Sequence, residues 1–285
     1  MTPRPIRLLA EPLRRRIAMS VVDLFNDRGR GEKPVARRPD GLFGPDAVAW
    51  RVHGDVGAMM VGGVSSLLLQ MLMPEVLAGV WDHSNFRADM HGRLRRTARF
   101  IATTTYASRP DAEAAIDRVR RIHDAVGGTL PDGMPYRAND PTALAWVHVT
   151  ETTSFLAAWR RYGEPGMSMA DRDRYFAEMA TIGTALGADP VPSDVRSAAA
   201  LIADMRPRLA TDRRTREVAA LVLRQRGSNP VMASAQHLLS AAAIDLLPEW
   251  ARAMHGFPAP LVGRALARTG TRALAGTLRW AFQRP

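Results

Sequence analysis

"DRVRRIHDAVGGTLPDGMPYRANDPTALAWVHVTETTSF", residues 117–155, holds two helical patterns separated by a turn-rich stretch. With Ile116 just before it, the first pattern places Ile116, Val119, His123 and Val126 on one face at three- and four-residue spacing. Gly127 and Gly128 end that helix, and Asp140 followed by Pro141 is an N-cap with proline in the first turn. In the second pattern His148 shares a face with Leu144 and Phe155. Each face therefore carries one histidine toward the core. A core histidine is either a hydrogen-bonded structural group or a ligand, and spacing leaves both readings open. Between the helices, "GGTLPDGMPYRAND" has the turn residues of a defined loop, and such loops often carry function.

The same spacing recurs outward in both directions. No segment shows the strict alternation and β-branched enrichment of strands over a convincing length. Helices are expected at about 4–26, 45–57, 58–80, 90–107, 110–126, 141–162, 169–186, 194–209, 212–226, 231–247 and 259–281. Pro110 and Asp111 open one of them, and Ser193 or Asp194 caps another after "ADPVP". The expected fold is all-α, about ten helices with no significant sheet. Residues 27–44, rich in Gly, Arg and Pro, read as a flexible linker or arm. The expected division is a helix and flexible arm over 1–40, a helical domain over 41–260 and a basic helix over 261–285. No internal repeat is visible.

Composition narrows the chemistry. A chain of 285 residues with 46% apolar content is long enough for a sizeable core. Its net charge is +11, and Lys33 is the single lysine, so the basic balance is almost wholly arginine. Such a balance favours an anionic partner, although an arginine-rich coding bias gives the same result. There are no cysteines, which excludes disulfides, thiolate nucleophiles, thiolate-bound haem, iron–sulfur clusters and zinc fingers. The N-terminus intersperses Arg and Pro among its apolar residues, unlike a signal peptide. Residues 56–73, "VGAMMVGGVSSLLLQMLM", are diluted by glycine, serine and Gln70 and followed by Pro74, which reads as a core helix rather than a membrane span. A soluble cytoplasmic protein is the expectation.

Several helical enzyme classes are absent by motif. There is no Glu-x-x-His pair for a di-iron bundle, no His-Glu-x-x-His and no Asp-Asp pair for magnesium diphosphate chemistry. A phosphate-cradling loop with lysine and a G-x-S-x-G elbow are also missing. Histidine and arginine remain: His53, His83, His91, His123, His148, His237 and His255, and the run "HGRLRRTARF" at 91–100. On a helix Arg93, Arg96, Thr97 and Phe100 share a face, while Arg95 and Arg99 lie together elsewhere on the surface. Either the run is a solvated basic face, or Arg93 and Thr97 turn inward, where a buried arginine needs an anion.

Three stretches then match a known pattern: "DHSNF…GRLRRTARFIATTTY", "RVRRIHDAVGGTLPDGMPYRANDPTALAWVHVTETTSF" and "LLPEWARAMHGFPAP". Over roughly residues 40–260 the chain resembles the family of bacterial proteins grouped with the fungal MpaB oxygenases and the rubber oxygenase called latex-clearing protein. The resemblance implies an all-helical, globin-like fold holding haem b. It places His123 at the proximal iron ligand, and Arg93 and Thr97 at the distal arginine and threonine. Arg96 falls where the rubber enzyme has a lysine that ligates the resting iron. Guanidinium keeps its proton and makes a very poor iron ligand, so that distal position is open, or filled by water or another side chain. His148 and His83 are recurrent family positions, read here as hydrogen-bonding support, with His148 and Arg96 beside the cofactor.

The function implied is a haem b-dependent oxygenase acting with O₂ on a small apolar substrate, terpenoid or otherwise unsaturated. Two alternatives stand beside it. One is a haem or apolar-ligand binding protein without catalysis. The other is a peripheral membrane-surface protein using the C-terminal basic helix, whose arginines accompany Trp280 and Phe282. Nucleic acid is not expected, since no binding motif is present. The sequence leaves the oligomeric state open.

Overall fold

The computed structural model describes residues 4–27, 29, 31–224, 230–257 and 261–282. Among them the chain forms, in order, α1 (Arg4–Phe25), α2 (Val48–His53), α3 (Val56–Gln70), α4 (Pro74–His83), α5 (Met90–Tyr106) and α6 (Arg109–Asp124). A two-stranded hairpin follows, β1 (Gly127–Thr129) and β2 (Pro135–Arg137). Then come α7 (Pro141–Tyr162), α8 (Met169–Leu186), α9 (Val195–Met205), α10 (Arg213–Leu223), α11 (Pro230–Leu246), α12 (Glu249–His255) and α13 (Leu261–Phe282). The fold is all-α, and α7 and α8 have the boundaries that the spacing predicts.

The centre is the pair α3 and α7. They approach closely because α3 is built from small residues. A Cβ at Gly62 would lie 2.8 Å from the Phe155 ring and 3.0 Å from the Ser154 carbonyl oxygen. The apolar run at 56–73 is thus the interior helix of the bundle, with Val61 and Leu68 fully buried. It does not continue to residue 80. The chain turns at Met71–Met73, and α4 leaves at 104°; the residue before Pro74 is pushed out of the helical region by the proline ring. The carbonyls left open at this helix end are met from three directions. His255 Nε2 donates to the Leu68 oxygen at 2.8 Å, Trp146 Nε1 to Gln70 at 3.3 Å and the Ala210 amide to Leu72 at 2.8 Å. Among the described residues no single helix is long and apolar enough to cross a membrane.

Caps fix the other helices in place. Asp140 accepts from the Ala143 amide at 2.9 Å to start α7, as its sequence predicts. Asp194 and Ser197 make a reciprocal capping box at α9. Glu178 on α8 caps a different helix, accepting from the Val48 and Ala49 amides at the start of α2.

Three features were not evident from the pattern. The loop at 127–139 is a short hairpin, turned by Gly133 at φ +89° and tied to α4 where Tyr136 donates to Asp82 at 2.6 Å. Arg95 and Arg99 do not project into solvent but hold the arm before α2: Arg95 pairs with Asp27 at 2.7 Å and Arg99 donates to the Lys33 carbonyl at 3.0 Å. Arg37 in that arm lies over the Tyr106 ring. Finally, α13 packs inward. Ala267, Thr271, Ala275, Leu278 and Ala281 are buried. Arg268 pairs with Asp245 at 2.6 Å and Arg279 with Asp55 at 2.8 Å, while Arg161 joins Asp245 from α7 at 2.9 Å. Arg272 and Phe282 remain at the surface.

Candidate active site

Helices α5, α6, α7 and α8 enclose a cavity of about 60 Å³. Leu144, Val147, His148, Glu151 and Thr152 form its α7 wall, a single stripe at three- and four-residue spacing. Phe100, Ile101 and Thr104 come from α5, Met179, Ile182, Gly183 and Leu186 from α8, and His123 from the last turn of α6. Ser108 caps α6 and Ile116 buries its apolar face, which rotates His123 into the same space.

The walls are aliphatic, so the few polar atoms stand out. His148 is 8% exposed, and its Nε2 has no hydrogen-bond partner. Thr152 is fully buried, with its hydroxyl likewise unpaired. The Nδ1 of His123 is a third such atom. Thr104 differs, since its hydroxyl donates to its own helix at the Phe100 and Ile101 carbonyls. Gly183 is required by the closeness of α8, because a Cβ there would sit 2.9 Å from His148 Nε2.

Burial sets the protonation states. It lowers the pKa of His148 to about 4 and depresses that of His123, against a weaker opposing pull from Asp124. Both imidazoles are therefore neutral near pH 7, the form that ligates metals. Burial pushes the Glu151 carboxyl up to about 7.

Beneath the cavity lies a fully bonded layer. His53 Nδ1 meets Thr105 Oγ1 at 2.8 Å and His53 Nε2 meets Tyr175 OH at 2.8 Å. Thr105 already donates its hydroxyl proton to the Ile101 carbonyl at 2.7 Å. It must accept from His53, so Nδ1 carries the ring proton and Tyr175 donates to Nε2. Burial takes the His53 pKa down to about 3. This histidine is structural.

The arginine helix is arranged otherwise. Arg93 turns inward and lines a second, smaller cavity with Gln70, Met71, Leu77, Met90 and Val218. Its Nη1 donates to Ser84 Oγ at 3.0 Å, and among the described residues no carboxylate pairs with it. Burial lowers its pKa, with Arg96 adding to the effect. Arg96 itself is exposed and pairs with Asp89 at 3.4 Å. Thr97 is also exposed, and its hydroxyl returns to the Arg93 carbonyl at 3.3 Å. The inward face of α5 below Arg93 is Phe100, Ile101 and Thr104, which leaves Thr97 on the solvent side. His83 is exposed on α4, bonding the Gly127 carbonyl at 3.0 Å and so securing the hairpin. The structure thus brings His123 and His148 together, places Arg93 in the neighbouring cavity, and keeps Arg96, Thr97 and His83 outside both.

Sequence reasoning missed Glu151 and Thr152. They follow His148 by three and four residues, and the spacing used for apolar faces identifies them once it is applied to polar residues.

No group of three or more His, Asp or Glu side chains is placed to hold a metal ion among the described residues. The donor set does suit a haem, for which one neutral imidazole of the protein is enough, and His123 carries a buried, unpaired ring nitrogen.

Residues 50–280 match the family described as "ER-bound oxygenase mpaB/B'/Rubber oxygenase, catalytic domain". The chain belongs to this family. The match runs from α2 into α13 and includes every residue lining both cavities. As an MpaB/rubber oxygenase catalytic domain it belongs among oxygenases, for which O₂ and an organic substrate are the reaction partners. No curated protein and no solved structure matches the chain significantly.

Proposed function

We propose that this protein is a haem b-dependent oxygenase acting on an apolar substrate, in which His123 would hold the haem iron. The observation that carries the reading is the pair of neutral imidazoles, His123 and His148, turned from two helices into one aliphatic cavity with buried, unpaired ring nitrogens. Haem b, when bound, would supply the redox chemistry with O₂ that no side chain of this chain can perform. His148 would stand beside the cofactor on α7, with its Nε2 left for a ligand. Arg93, half-buried beside a hydroxyl and with no carboxylate paired to it among the described residues, is suited to an anionic group such as a haem propionate. The aliphatic side chains of α5, α7 and α8 would exclude water and hold the substrate by burial of its apolar surface. Arg96 and Thr97 would act on the outer edge of this region, and Arg96 would not replace the lysine as a ligand, because it stays charged and paired with Asp89.

The absorption spectrum of the purified protein tests this reading. A Soret band is expected after expression with adequate haem, and His123→Ala should abolish or shift it. No band, or a band unchanged by His123→Ala, would overturn the assignment. Product analysis after incubating the reduced protein with O₂ and an alkene separates an oxygenase from a haem carrier.

A further inference from the structure

We infer that the α7 face formed by His148, Glu151 and Thr152 is a polar anchor for the head of an otherwise apolar substrate, and that this head is a neutral hydroxyl or carbonyl. The inference rests on reading this cavity as the substrate-binding part of the oxygenase. Buried polar atoms in folded proteins are almost always hydrogen-bonded, so two unpaired ones on successive turns of one face require an explanation. His148 Nε2 and Thr152 Oγ1 are both unpaired and both belong to residues more than nine-tenths buried. Glu151 lies between them on the same stripe, and among the described residues no hydrogen bond or ion pair occupies its carboxyl. His53, one layer away, has both ring nitrogens matched, and the unpaired atoms elsewhere, such as Tyr162 OH and Trp50 Nε1, stand outside this cavity's lining. A ligand hydroxyl, with one proton to donate and two lone pairs, has the hydrogen-bonding capacity for all three.

The chemistry of the three groups selects the ligand. A hydroxyl can donate to one and accept from another, and a carbonyl can accept from a threonine hydroxyl or a protonated carboxyl. A carboxylate or phosphate head is disfavoured. No lysine or arginine lines this cavity to offset the burial of an anion. An ammonium head is disfavoured too, since burial holds the Glu151 carboxyl largely protonated up to about neutral pH. The remaining walls are aliphatic or aromatic, which asks for a hydrocarbon tail.

Calorimetric titration of the full-length protein with 1-octanol, 2-octanone and sodium octanoate provides the test, with haem content recorded from the absorption spectrum of each preparation. Octanol and octanone should bind at least tenfold more tightly than octanoate. Glu151→Leu should weaken octanol binding about tenfold, and Thr152→Val about threefold, while Glu151→Gln, which keeps a neutral hydrogen-bonding head, should stay within about threefold of the wild type. Should Glu151→Leu fail to fold, Thr152→Val and Glu151→Gln still carry the comparison. Octanoate binding as tightly as octanol, or octanol affinity unchanged in both Glu151→Leu and Thr152→Val, would overturn the inference. Failure of the haem reading is separate: a protein without a Soret band that still prefers octanol in this Glu151-dependent way keeps the anchor and loses the cofactor. A protein with the band but no preference keeps the cofactor and loses the anchor.

Discussion

Two inner regions of this protein treat their carboxyl groups in opposite ways. At the junction of α7, α11 and α13, Asp245 is sunk in the core and answered by Arg161 and Arg268. In the cavity between α5 and α8, His148 and Thr152 are buried and Glu151 is half-buried, and among the described residues none of the three side chains has a hydrogen-bond partner at the atoms facing the cavity. The same contrast separates two imidazoles, with both nitrogens of His53 bonded and Nε2 of His148 free. Where pairing is complete the polar group specifies the fold. Where it is incomplete the protein has kept binding capacity at a cost in stability.

Mutations can break or sharpen this contrast. The largest effect is expected at Asp245→Ala, which strands two arginines and should destabilise by about 3 kcal/mol, reduced from a fully buried pair because both guanidinium groups keep some solvent. Urea unfolding followed by circular dichroism measures it, and a loss below about 1 kcal/mol would make the pairing ornamental. Next is the histidine pair. His53→Leu removes two hydrogen bonds and should cost about 2 kcal/mol, whereas His148→Leu removes an unpaired nitrogen and should be near neutral in the same assay. Equal losses at the two positions would erase the distinction on which the site rests.

A smaller effect depends on pH. The folded pKa of Glu151, about 7, lies above its ordinary 4.5, so its contribution is fully present below pH 4.5 and lost as pH rises through 7. Glu151→Gln should therefore gain on the wild type between pH 5 and 8, by about 1–2 kcal/mol at the upper end. His148, with a folded value near 4 against 6.5, has the opposite sign: its contribution is present above pH 6.5 and falls away toward pH 4, so His148→Leu should flatten the acid limb of the stability curve. The smallest change is Thr152→Val, nearly isosteric, which should leave stability within about 0.5 kcal/mol or raise it slightly. Thermal melts across about pH 4–8 resolve all three.

Much of the fold was legible because its signals are local. Asp140–Pro141 and Asp194 start helices through bonds to amides three residues away, and a spacing of three and four residues places His123 and His148 on buried faces. What was not legible depends on contacts distant in sequence. Arg95 and Arg99 resemble solvated residues until Asp27 and Lys33 are brought beside them. Thr97 resembles an inward residue until Phe100 and Ile101 take that role on α5. The break after Gln70 had a local sign, Pro74, that the unbroken apolar pattern outweighed. The seven residues of α12 are too few for periodicity to register. Glu151 and Thr152 were legible in principle, since they repeat the His148 register, but a polar stripe acquires meaning only when the opposing walls are known to be aliphatic.

The inward seating of α13 bears on truncation. Arg268 and Arg279 are counter-charges for two carboxylates, Asp245 and Asp55, that lie almost entirely out of solvent on other helices. A chain stopped near residue 260 would not shed an appendage. It would leave the anion that caps α3 without its cation, and it would uncover the side of the central helix pair that α13 shields. The smallest piece able to fold as this protein does must therefore reach Arg279, so the last helix behaves as a keystone set late in the chain rather than as a tail.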